Sequence, residues 1–354
     1  MPDVLATLTS PLEAGTDALY CPAFSLAWRS LTARFGPLLL DPQPALADAL
    51  NEAEVDPRAV DPAWCVARAG FGAEGILESL RAELAEKLPD ADLRHLPDEL
   101  PADALLAYCY LAKLLRFPTP FAIPDVLFAG SVVRGFGLQA PSPFAIERDR
   151  ARMAQVVVHD HVTDDEFVLE LLSDDAGCRV LVAQIPRLPT LEATVQHTLG
   201  RLDRARGDAR VLHDDERVSI PRLALDVTRS FNELEGKPLR NEAIRGRTID
   251  KALQQVRFHL DEGGAGVIAE AEIVSFGGPP RPARTFHVTR PFLVMLMRRE
   301  TTQPFLALWV ETTAWMEVIG KIAPAAPPFM PPRSGFGPPS GFGPPPGWGP
   351  PSKP

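Results

Sequence analysis

Cysteine is scarce in this chain of 354 residues, and its shortage excludes two kinds of site. The four cysteines are Cys21, Cys65, Cys109 and Cys178, and no two of them form a Cys-x-x-Cys pair. The sequence therefore offers neither a zinc knuckle nor a redox motif of that type. Isolated cysteines in apolar surroundings predict buried free thiols in a reducing compartment.

Positive charge is also in short supply. Lys and Arg number 36 against 46 Asp and Glu, which gives a formal net charge of -10 at pH 7. Nucleic-acid binding needs clustered cations to neutralise phosphates, so we expect no nucleic-acid partner. A basic protein partner stays open, because an acidic surface attracts one.

Targeting and membrane-spanning segments are not visible either. Residues 1–19 (MPDVLATLTSPLEAGTDAL) lack a basic stretch followed by an apolar core, which a signal peptide requires. No apolar run approaches the roughly 20 residues of a membrane span. We therefore expect a cytoplasmic protein without a membrane partner, or an extracellular one if the natural start differs.

Helix-type patterns come first along the chain. Residues 1–20 are expected to form a short helix or an arm, and apolar spacing predicts helices over 24–35 and 44–50. The clearest amphipathic helix is 75–88, and its apolar stripe consists of Ile76, Leu77, Leu80, Leu84 and Leu88.

Strand-type patterns follow. The run 104–117 (ALLAYCYLAKLLRF) is nearly continuous in apolar residues, as in a strand that is covered on both faces. Further strands are predicted over 153–158, 166–172, 178–185, 217–227 (broken at Pro221), 285–297 and 303–311, with a hairpin turn at Ser173–Gly177, a helix over 191–202 and one or two short helices within 228–254. Helices followed by mainly antiparallel strands predict an α+β fold in one domain, residues 1–322.

A different composition begins after Lys321. The stretch 327–351 repeats Gly-Phe/Trp-Gly-Pro-Pro and holds 11 of the 38 prolines of the chain. Such a composition cannot build a core, so residues 323–354 are predicted to be a disordered tail. It serves either as a spacer or as a ligand whose aromatic residues Phe336, Phe342 and Trp348 bind a protein partner.

The stretch 256–292 combines features that rarely occur together. A strand pattern at 256–260 leads through Asp261 and Glu262 into a Gly-Gly-Ala-Gly sequence. Beyond it, small or apolar residues (Ala265, Val267, Ala269 and Ala271) alternate with Glu270 and Glu272, as in a half-buried strand. Gly278, Pro279 and Pro280 then interrupt any ladder.

These residues resemble the hinge and reactive-centre loop of serpins, the serine-protease-inhibitor family. Leu-Asp-Glu-Gly-Gly at 260–264 is similar to the hinge, Arg-Pro-Phe-Leu at 290–293 to the strand after the loop, and Ser-Ile-Pro-Arg-Leu at 219–223 to the strand whose basic residue faces the hinge glutamate. Weaker similarities, in the family's order, extend the resemblance over most of residues 18–311, with an N-terminal half that is shorter than in the family.

The resemblance implies a multi-helix fold with three sheets and a loop over about 262–289. It also implies that Arg222 pairs with Glu262, that Gly264, Ala265, Val267, Ala269 and Ala271 form the inserting part, and that cleavage occurs near Gly278, Pro279, Pro280 or Arg281, with Arg284 as a later trypsin-like site. The implied function is inhibition of a serine or cysteine endopeptidase, without catalysis and without a cofactor. After cleavage the loop inserts into the main sheet as a strand.

Departures from the family keep a second function open. Val267 and Ile268 are bulky where the hinge favours small residues, and prolines lie where cleavage is expected. At positions that control sheet opening, the family's Ser, Asn, Trp and His are replaced by Cys21, Ala107, Leu115 and Gln254. The alternative is a non-inhibitory binding protein of the same fold.

Two further motifs suggest other chemistry. His159 and His161 are a possible metal half-site, but no third ligand is evident, so a solvated strand end is the favoured explanation. The glycines at 263–266 suggest a phosphate loop, but no Lys-Ser/Thr follows. We therefore expect no metal and no enzymatic activity.

Overall fold

The computed structural model describes residues 3–89, 93, 96–138, 146–205, 207–265 and 284–321. Its five α-helices are α1 Ala23–Phe35, α2 Ala45–Glu52, α3 Ile76–Lys87, α4 Ile146–Ala154 and α5 Leu191–Arg204. Its strands are β1 Asp3–Leu5, β2 Ala18–Tyr20, β3 Cys65–Phe71, β4 Leu105–Leu111, β5 Leu115–Arg116, β6 Asp125–Phe128, β7 Ser131–Leu138, β8 Val156–Thr163, β9 Glu166–Leu171, β10 Cys178–Gln184, β11 Arg210–Val211, β12 Arg217–Pro221, β13 Leu223–Ser230, β14 Ile249–Leu260, β15 Gly264–Ala265, β16 Thr285–His287, β17 Phe292–Arg298, β18 Pro304–Val310 and β19 Val318–Lys321.

These strands form three sheets and a short ribbon. Sheet I has the order β1-β2-β18-β17-β10-β9-β8-β11 and is antiparallel except at β1-β2. Sheet II has the order β16-β12-β7-β19, with β6 also on β7, and sheet III has the order β13-β14-β4-β3. Strands β15 and β5 form the ribbon. The predicted α+β class, with a multi-helix, three-sheet arrangement, is confirmed.

Strand β4 shows why its sequence is apolar throughout. Leu105, Ala107 and Cys109 point into the main core, which sheets I, II and III share with α1. Leu106 and Tyr108 point to the opposite face of sheet III, where they pack against α3. Side chains of a strand alternate between faces, so a strand with a core on each side has no polar positions.

Helices α3 and α5 cover the outer faces of sheets III and I. The predicted stripe of α3 is buried at Ile76, Leu77, Leu80 and Leu84. Helix α5 begins at Thr190, whose hydroxyl accepts a hydrogen bond from Ala193 N at 3.1 Å, as an N-cap does. Its apolar residues pack on sheet I near Trp309. None of the described helices combines the length and apolar composition that a membrane crossing requires.

Several sequence-based expectations were wrong in detail. Residues 1–20 contain strands β1 and β2 rather than a helix, and 153–154 belong to α4. Within 228–254 the described helical residues are the 3-10 turn Glu242–Ile244 alone, because β13 and β14 pair along their lengths as far as Ser230 and Leu253. Long-range pairing overrides local propensity here.

Two runs that the sequence pattern treated as units each contribute strands to two different sheets. The run 217–227 is β12 of sheet II and β13 of sheet III, which meet at Pro221 and Arg222 instead of pairing with each other. The run 285–297 likewise splits into β16 of sheet II and β17 of sheet I, and only β17 forms the predicted hairpin with β18. The hairpin of β9 and β10 around Ser173–Gly177 is as predicted.

Candidate functional site

The described residues include both ends of the predicted loop but not its middle. Glu262, Gly264 and Ala265 lie at the N-terminal end and Arg284 at the C-terminal end. The predicted loop residues outside the described residues are Val267, Ala269, Ala271, Gly278, Pro279, Pro280 and Arg281. Their assigned roles stay predictions, as does that of the tail 323–354.

A tight turn follows β14 at the N-terminal end of the loop. Asp261 and Gly264 exchange backbone hydrogen bonds of 2.9 and 3.2 Å, and the Asp261 carboxylate accepts a third from Gly263 N at 2.8 Å. The chain then pairs with β5, where Ala265 lies opposite Leu115. The glycines therefore reverse the chain direction rather than extend β14.

Gly264 is required at this turn for two reasons. Its φ of +142° lies in a region that residues with a side chain rarely adopt. A Cβ at this position would also lie 2.2 Å from Leu115 O. The close approach of β15 to β5 thus depends on the absence of a side chain.

Glu262 and Arg222 form an ion pair, as the resemblance implies. The Glu262 side chain is 2% exposed and the Arg222 side chain 21%. Arg222 lies at the junction of sheets II and III, where its N–H also donates to Arg134 O at 2.9 Å. The pair fastens the N-terminal end of the loop to the point where the two sheets meet.

The edge of β14 next to this turn lacks a partner. β4 runs parallel to β14 and pairs with it from Ile249 as far as Val256, which lies opposite Leu111. Further along, residues 258–260 pair with β13 on one side, and no described strand pairs with them on the other. The ladder between β4 and β14 therefore ends before the loop begins.

Gln254 lies on β14 within sheet III, at a position where the resemblance implies a histidine. Its Nε2 donates to Cys21 O at 3.0 Å and ties β14 to the start of α1. Burial raises the pKa of the Cys21 thiol to about 12, against weaker opposing hydrogen bonds from Ala23 and Gln254. All four cysteines are free and buried, as predicted, and a protonated buried thiol is a poor nucleophile.

A buried carboxylate holds the C-terminal end of the loop. Glu216 accepts two hydrogen bonds from Arg210 and one of 2.9 Å from His213 N, and Arg284 Nε lies 3.1 Å from it. Burial alone would raise the pKa of Glu216, but these donors and cations outweigh burial and lower the pKa. Glu216 thus holds the side chain of Arg284, and the next residue, Thr285, pairs with Arg217 in sheet II.

Strand β16, which follows Arg284, is also attached to its neighbouring strand. His287 Nδ1 lies 2.6 Å from Ser219 Oγ on the neighbouring strand β12. Between them and sheet I, Phe286 is fully buried against Phe167, with a ring-centroid distance of 5.4 Å. Burial lowers the pKa of His287, and the charge of Asp164 offsets part of this effect.

Serine, histidine and aspartate meet here without the geometry of a catalytic triad. Asp164 accepts a hydrogen bond from Thr285 Oγ1 at 3.2 Å rather than from the His287 ring. Ser219 and His287 face each other as a cross-strand pair, and no carboxylate among the described residues hydrogen-bonds to His287. A triad needs a carboxylate that orients the imidazole, so the contact is best explained as structural.

Gln184 forms hydrogen bonds with the chain just after β16. This residue, 1% exposed, accepts hydrogen bonds from Thr289 N at 2.9 Å and Arg290 N at 3.1 Å. Arg290 also reaches Asp165 at 2.8 Å. The chain then enters sheet I at the buried Phe292, the position that the resemblance assigned to the strand after the loop.

The proposed half-site at His159 and His161 is built differently from either sequence interpretation. His159 Nε2 bonds to the buried Glu170 at 2.8 Å, and His161 Nε2 lies 3.3 Å from Asp164. His159 is therefore not a solvated strand end. Among the described residues no group of three His, Cys, Asp or Glu side chains could hold a metal ion.

Sequence reasoning missed the residues that secure the C-terminal end of the loop. Glu216 carries no motif, and Gln184 lies at the end of an apolar strand. A polar residue inside an apolar run is the one signal that marks Gln184, because a buried amide needs partners. His287 has no such signal, since its partner Ser219 lies far away in the sequence.

Comparison with solved structures yields serpins. The thermophilic serpin tengpin in its native state has a TM-score of 0.49 at 10% identity over 85% of this chain and 90% of that one. A serpin from the trematode Schistosoma haematobium has a TM-score of 0.47 at 11% identity over 84% and 94%. Human thyroxine-binding globulin complexed with thyroxine has a TM-score of 0.41 at 11% identity, and the match spans 67% of this chain and 64% of that protein.

No family model matches the chain, and no curated protein matches it. The solved structures that this chain resembles are thus members of the family that its motifs indicate. At 10–11% identity the likeness concerns the fold alone.

Proposed function

We propose that the chain is a serpin-type inhibitor of a serine or cysteine endopeptidase. In this proposal the protease cleaves the loop between Ala265 and Arg284 and is trapped when the N-terminal part of the loop inserts between β4 and β14. The open edge of β14 at 258–260 carries the proposal, because it leaves backbone groups for a new strand directly beside the start of the loop.

The anchors at both ends support the same mechanism. The exit at Arg284 is held by Glu216, and the strand after it by Ser219 and Gln184. A cleaved loop thus has one end fixed in sheet II, whereas the other end needs only to release the ribbon β15-β5. The alternation of Ala265, Val267, Ala269 and Ala271 in the sequence fits a strand with one buried face.

A test is incubation of the full chain with trypsin and with subtilisin. Inhibition gives an SDS-resistant complex between chain and protease, whereas clean cleavage products alone would exclude trapping. Ala269→Pro is the matched variant, because proline removes an N–H that the inserted strand needs. We expect it to be cleaved but to form no complex.

A second function, a non-inhibitory binding protein, is favoured by one observation. The buried pair Glu262–Arg222 and the ribbon β15-β5 hold the start of the loop in a fixed place in the uncleaved chain. If these contacts persist after cleavage, the loop cannot insert, and the surface or the aromatic tail mediates binding instead.

The melting temperature before and after cleavage separates the two functions. Insertion adds a strand to sheet III and releases stored strain, so an inhibitor gains a large increase on cleavage. A binding protein without insertion shows no such gain. A large increase would therefore exclude the second function even if no complex forms.

A further inference from the structure

A polar cavity of about 380 Å³ lies beside the C-terminal end of the loop, away from the open edge of β14. It is formed by strand β8, the C-terminal end of α5, strand β11 and the first described residue after the loop. Four arginines line it, namely Arg201, Arg204, Arg210 and Arg284. Its volume is in the range of small-molecule sites.

Arg201 is a buried arginine in the wall of this cavity. Its side chain is only 3% exposed, and its Nε and Nη1 each lie 2.6 Å from a carboxylate, of Asp160 and Glu166 respectively. Its Nη2 is buried and has no hydrogen-bond partner among the described residues. A buried donor without a partner is rare in proteins and is explained by a bound water, ion or ligand.

Two further guanidinium groups have free donors. Arg284 contacts Glu216 through Nε, which leaves both Nη groups available. Arg204 is exposed and forms no ion pair with any described residue. Three arginines, two from the last turn of α5 and one from the C-terminal end of the loop, thus line one cavity with unused N–H groups, which is an arrangement that binds the oxygens of a phosphate.

The carboxylates around the cavity are mostly neutralised. Asp160 is paired with Arg201, and Glu216 lies between Arg210 and Arg284. Asp208 lines the cavity without an ion pair among the described residues. It provides an acceptor for a hydroxyl group of a ligand whose phosphate binds the arginines.

We propose that this cavity binds a phosphate monoester that carries a hydroxyl group. The phosphate accepts hydrogen bonds from Arg201 Nη2, Arg204 and Arg284, and the hydroxyl donates to Asp208. The site goes beyond the proposed protease inhibition, because it does not use the open edge of β14, although it shares Arg284 with the C-terminal anchor of the loop.

Isothermal titration of the full chain with glycerol 3-phosphate, inorganic phosphate and glycerol tests this proposal. Saturable binding of glycerol 3-phosphate, with weaker binding of inorganic phosphate and none of glycerol, identifies the ester as the ligand. Saturable binding of the two phosphates with equal affinity also supports a phosphate site but assigns it to the free ion.

Variants locate the site. Arg204→Gln and Arg284→Gln should each weaken the binding of both phosphates about tenfold or more, a change of about 1.4 kcal/mol per tenfold. Asp208→Asn should weaken glycerol 3-phosphate alone. Arg245→Gln, at an exposed arginine outside the cavity, is the matched control for charge and should change nothing.

Two results would overturn the proposal. One is the lack of saturable binding of either phosphate at concentrations of about 10 mM, beyond the millimolar range of weak sites. The other is binding that Arg204→Gln and Arg284→Gln leave unchanged. Arg204 is exposed and unpaired among the described residues, so its variant keeps the fold, and its unfolding midpoint should match that of the wild type.

Discussion

Glu262 forms a buried ion pair with Arg222 across the junction of two sheets. Arg222 lies between the last strand residue in sheet II and the first in sheet III, and Glu262 lies in the turn after β14. The pair therefore couples the start of the loop to the framework that the loop would have to penetrate.

Removal of one partner of this pair should cost considerable stability. Arg222→Gln leaves the Glu262 carboxylate buried without its cation, and breaking a buried pair in this way costs roughly 3 kcal/mol. We expect the free energy of unfolding, measured in urea, to fall by about this amount. The partial exposure of Arg222 places the expected value at the lower end of the range for such pairs.

The double variant Arg222→Gln/Glu262→Gln is the control. Without any buried charge it should recover part of the loss, so that the two single changes are not additive. Additive losses would mean that the two side chains act independently, and the pair would not be the anchor that we describe.

Gly264→Ala should destabilise the turn at the start of the loop. The added Cβ meets Leu115 O at 2.2 Å in a strained backbone conformation, and such strain costs on the order of 1–3 kcal/mol. We expect a lower urea midpoint and faster hydrogen exchange at the amide of Phe117, which donates to Gly263 O at 2.9 Å in this turn.

Gly200→Ala is the matched substitution in an unhindered place. Gly200 lies inside α5, and a Cβ added there would have no neighbouring atom within 4 Å. Alanine favours a helix by roughly 1 kcal/mol over glycine, so this variant should be as stable as the wild type or more so. Equal losses in both variants would contradict the role assigned to Gly264.

Periodicity and composition identified some of the helices and buried strands of this chain, among them α3 and β4. The apolar runs of β4 and the stripe of α3 predict their own burial, since each reflects its immediate surroundings. The allocation of strands to sheets was beyond such reasoning. Nothing in the run 217–227 indicates that Pro221 ends a strand of one sheet and Leu223 begins a strand of another.

The residues that hold the two ends of the loop also differ in whether the sequence could predict them. Glu262 and Arg222 could be paired from the sequence because a family resemblance supplied the long-range link. Gln184, Glu216 and His287 could not, because each acquires its role from a partner that only the folded chain brings near. The pairing of Ala265 with Leu115 after the turn at Asp261 was likewise not predictable, since β5 becomes a neighbour only in the folded chain.

Gln184→Met should loosen the chain just after β16. Methionine fills a similar volume but cannot accept the hydrogen bonds from Thr289 N and Arg290 N. Loss of an acceptor for these partly buried donors costs about 1 kcal/mol, the lower end of the range for an unsatisfied group. We expect faster hydrogen exchange at these two amides, whereas the amide of Arg299, bonded to Gly177 O at 2.9 Å, should be unaffected. Unchanged exchange at Thr289 and Arg290 would exclude Gln184 as an anchor.

Acid should weaken the C-terminal anchor in two separate pH windows. Burial lowers the pKa of His287 below its ordinary value of 6.5 in the folded chain, with Asp164 opposing part of this shift. The unfolded state then binds more protons, so the contribution of His287 is present above pH 6.5 and is lost as the pH falls below it.

Glu216 accounts for the lower window. Burial opposes its ionisation, but the hydrogen bonds from Arg210 and His213 N and the charges of Arg210 and Arg284 outweigh burial, so its pKa in the folded chain lies below 4.5. Its contribution is complete above pH 4.5 and is lost as the pH falls through the lowered value. Urea unfolding between pH 7.5 and 3 measures both windows. Each variant removes one titrating group. His287→Gln should therefore flatten the dependence of the unfolding free energy on pH only below pH 6.5, and Glu216→Gln only below pH 4.5. An unchanged pH dependence in either variant would contradict the assignment of that window.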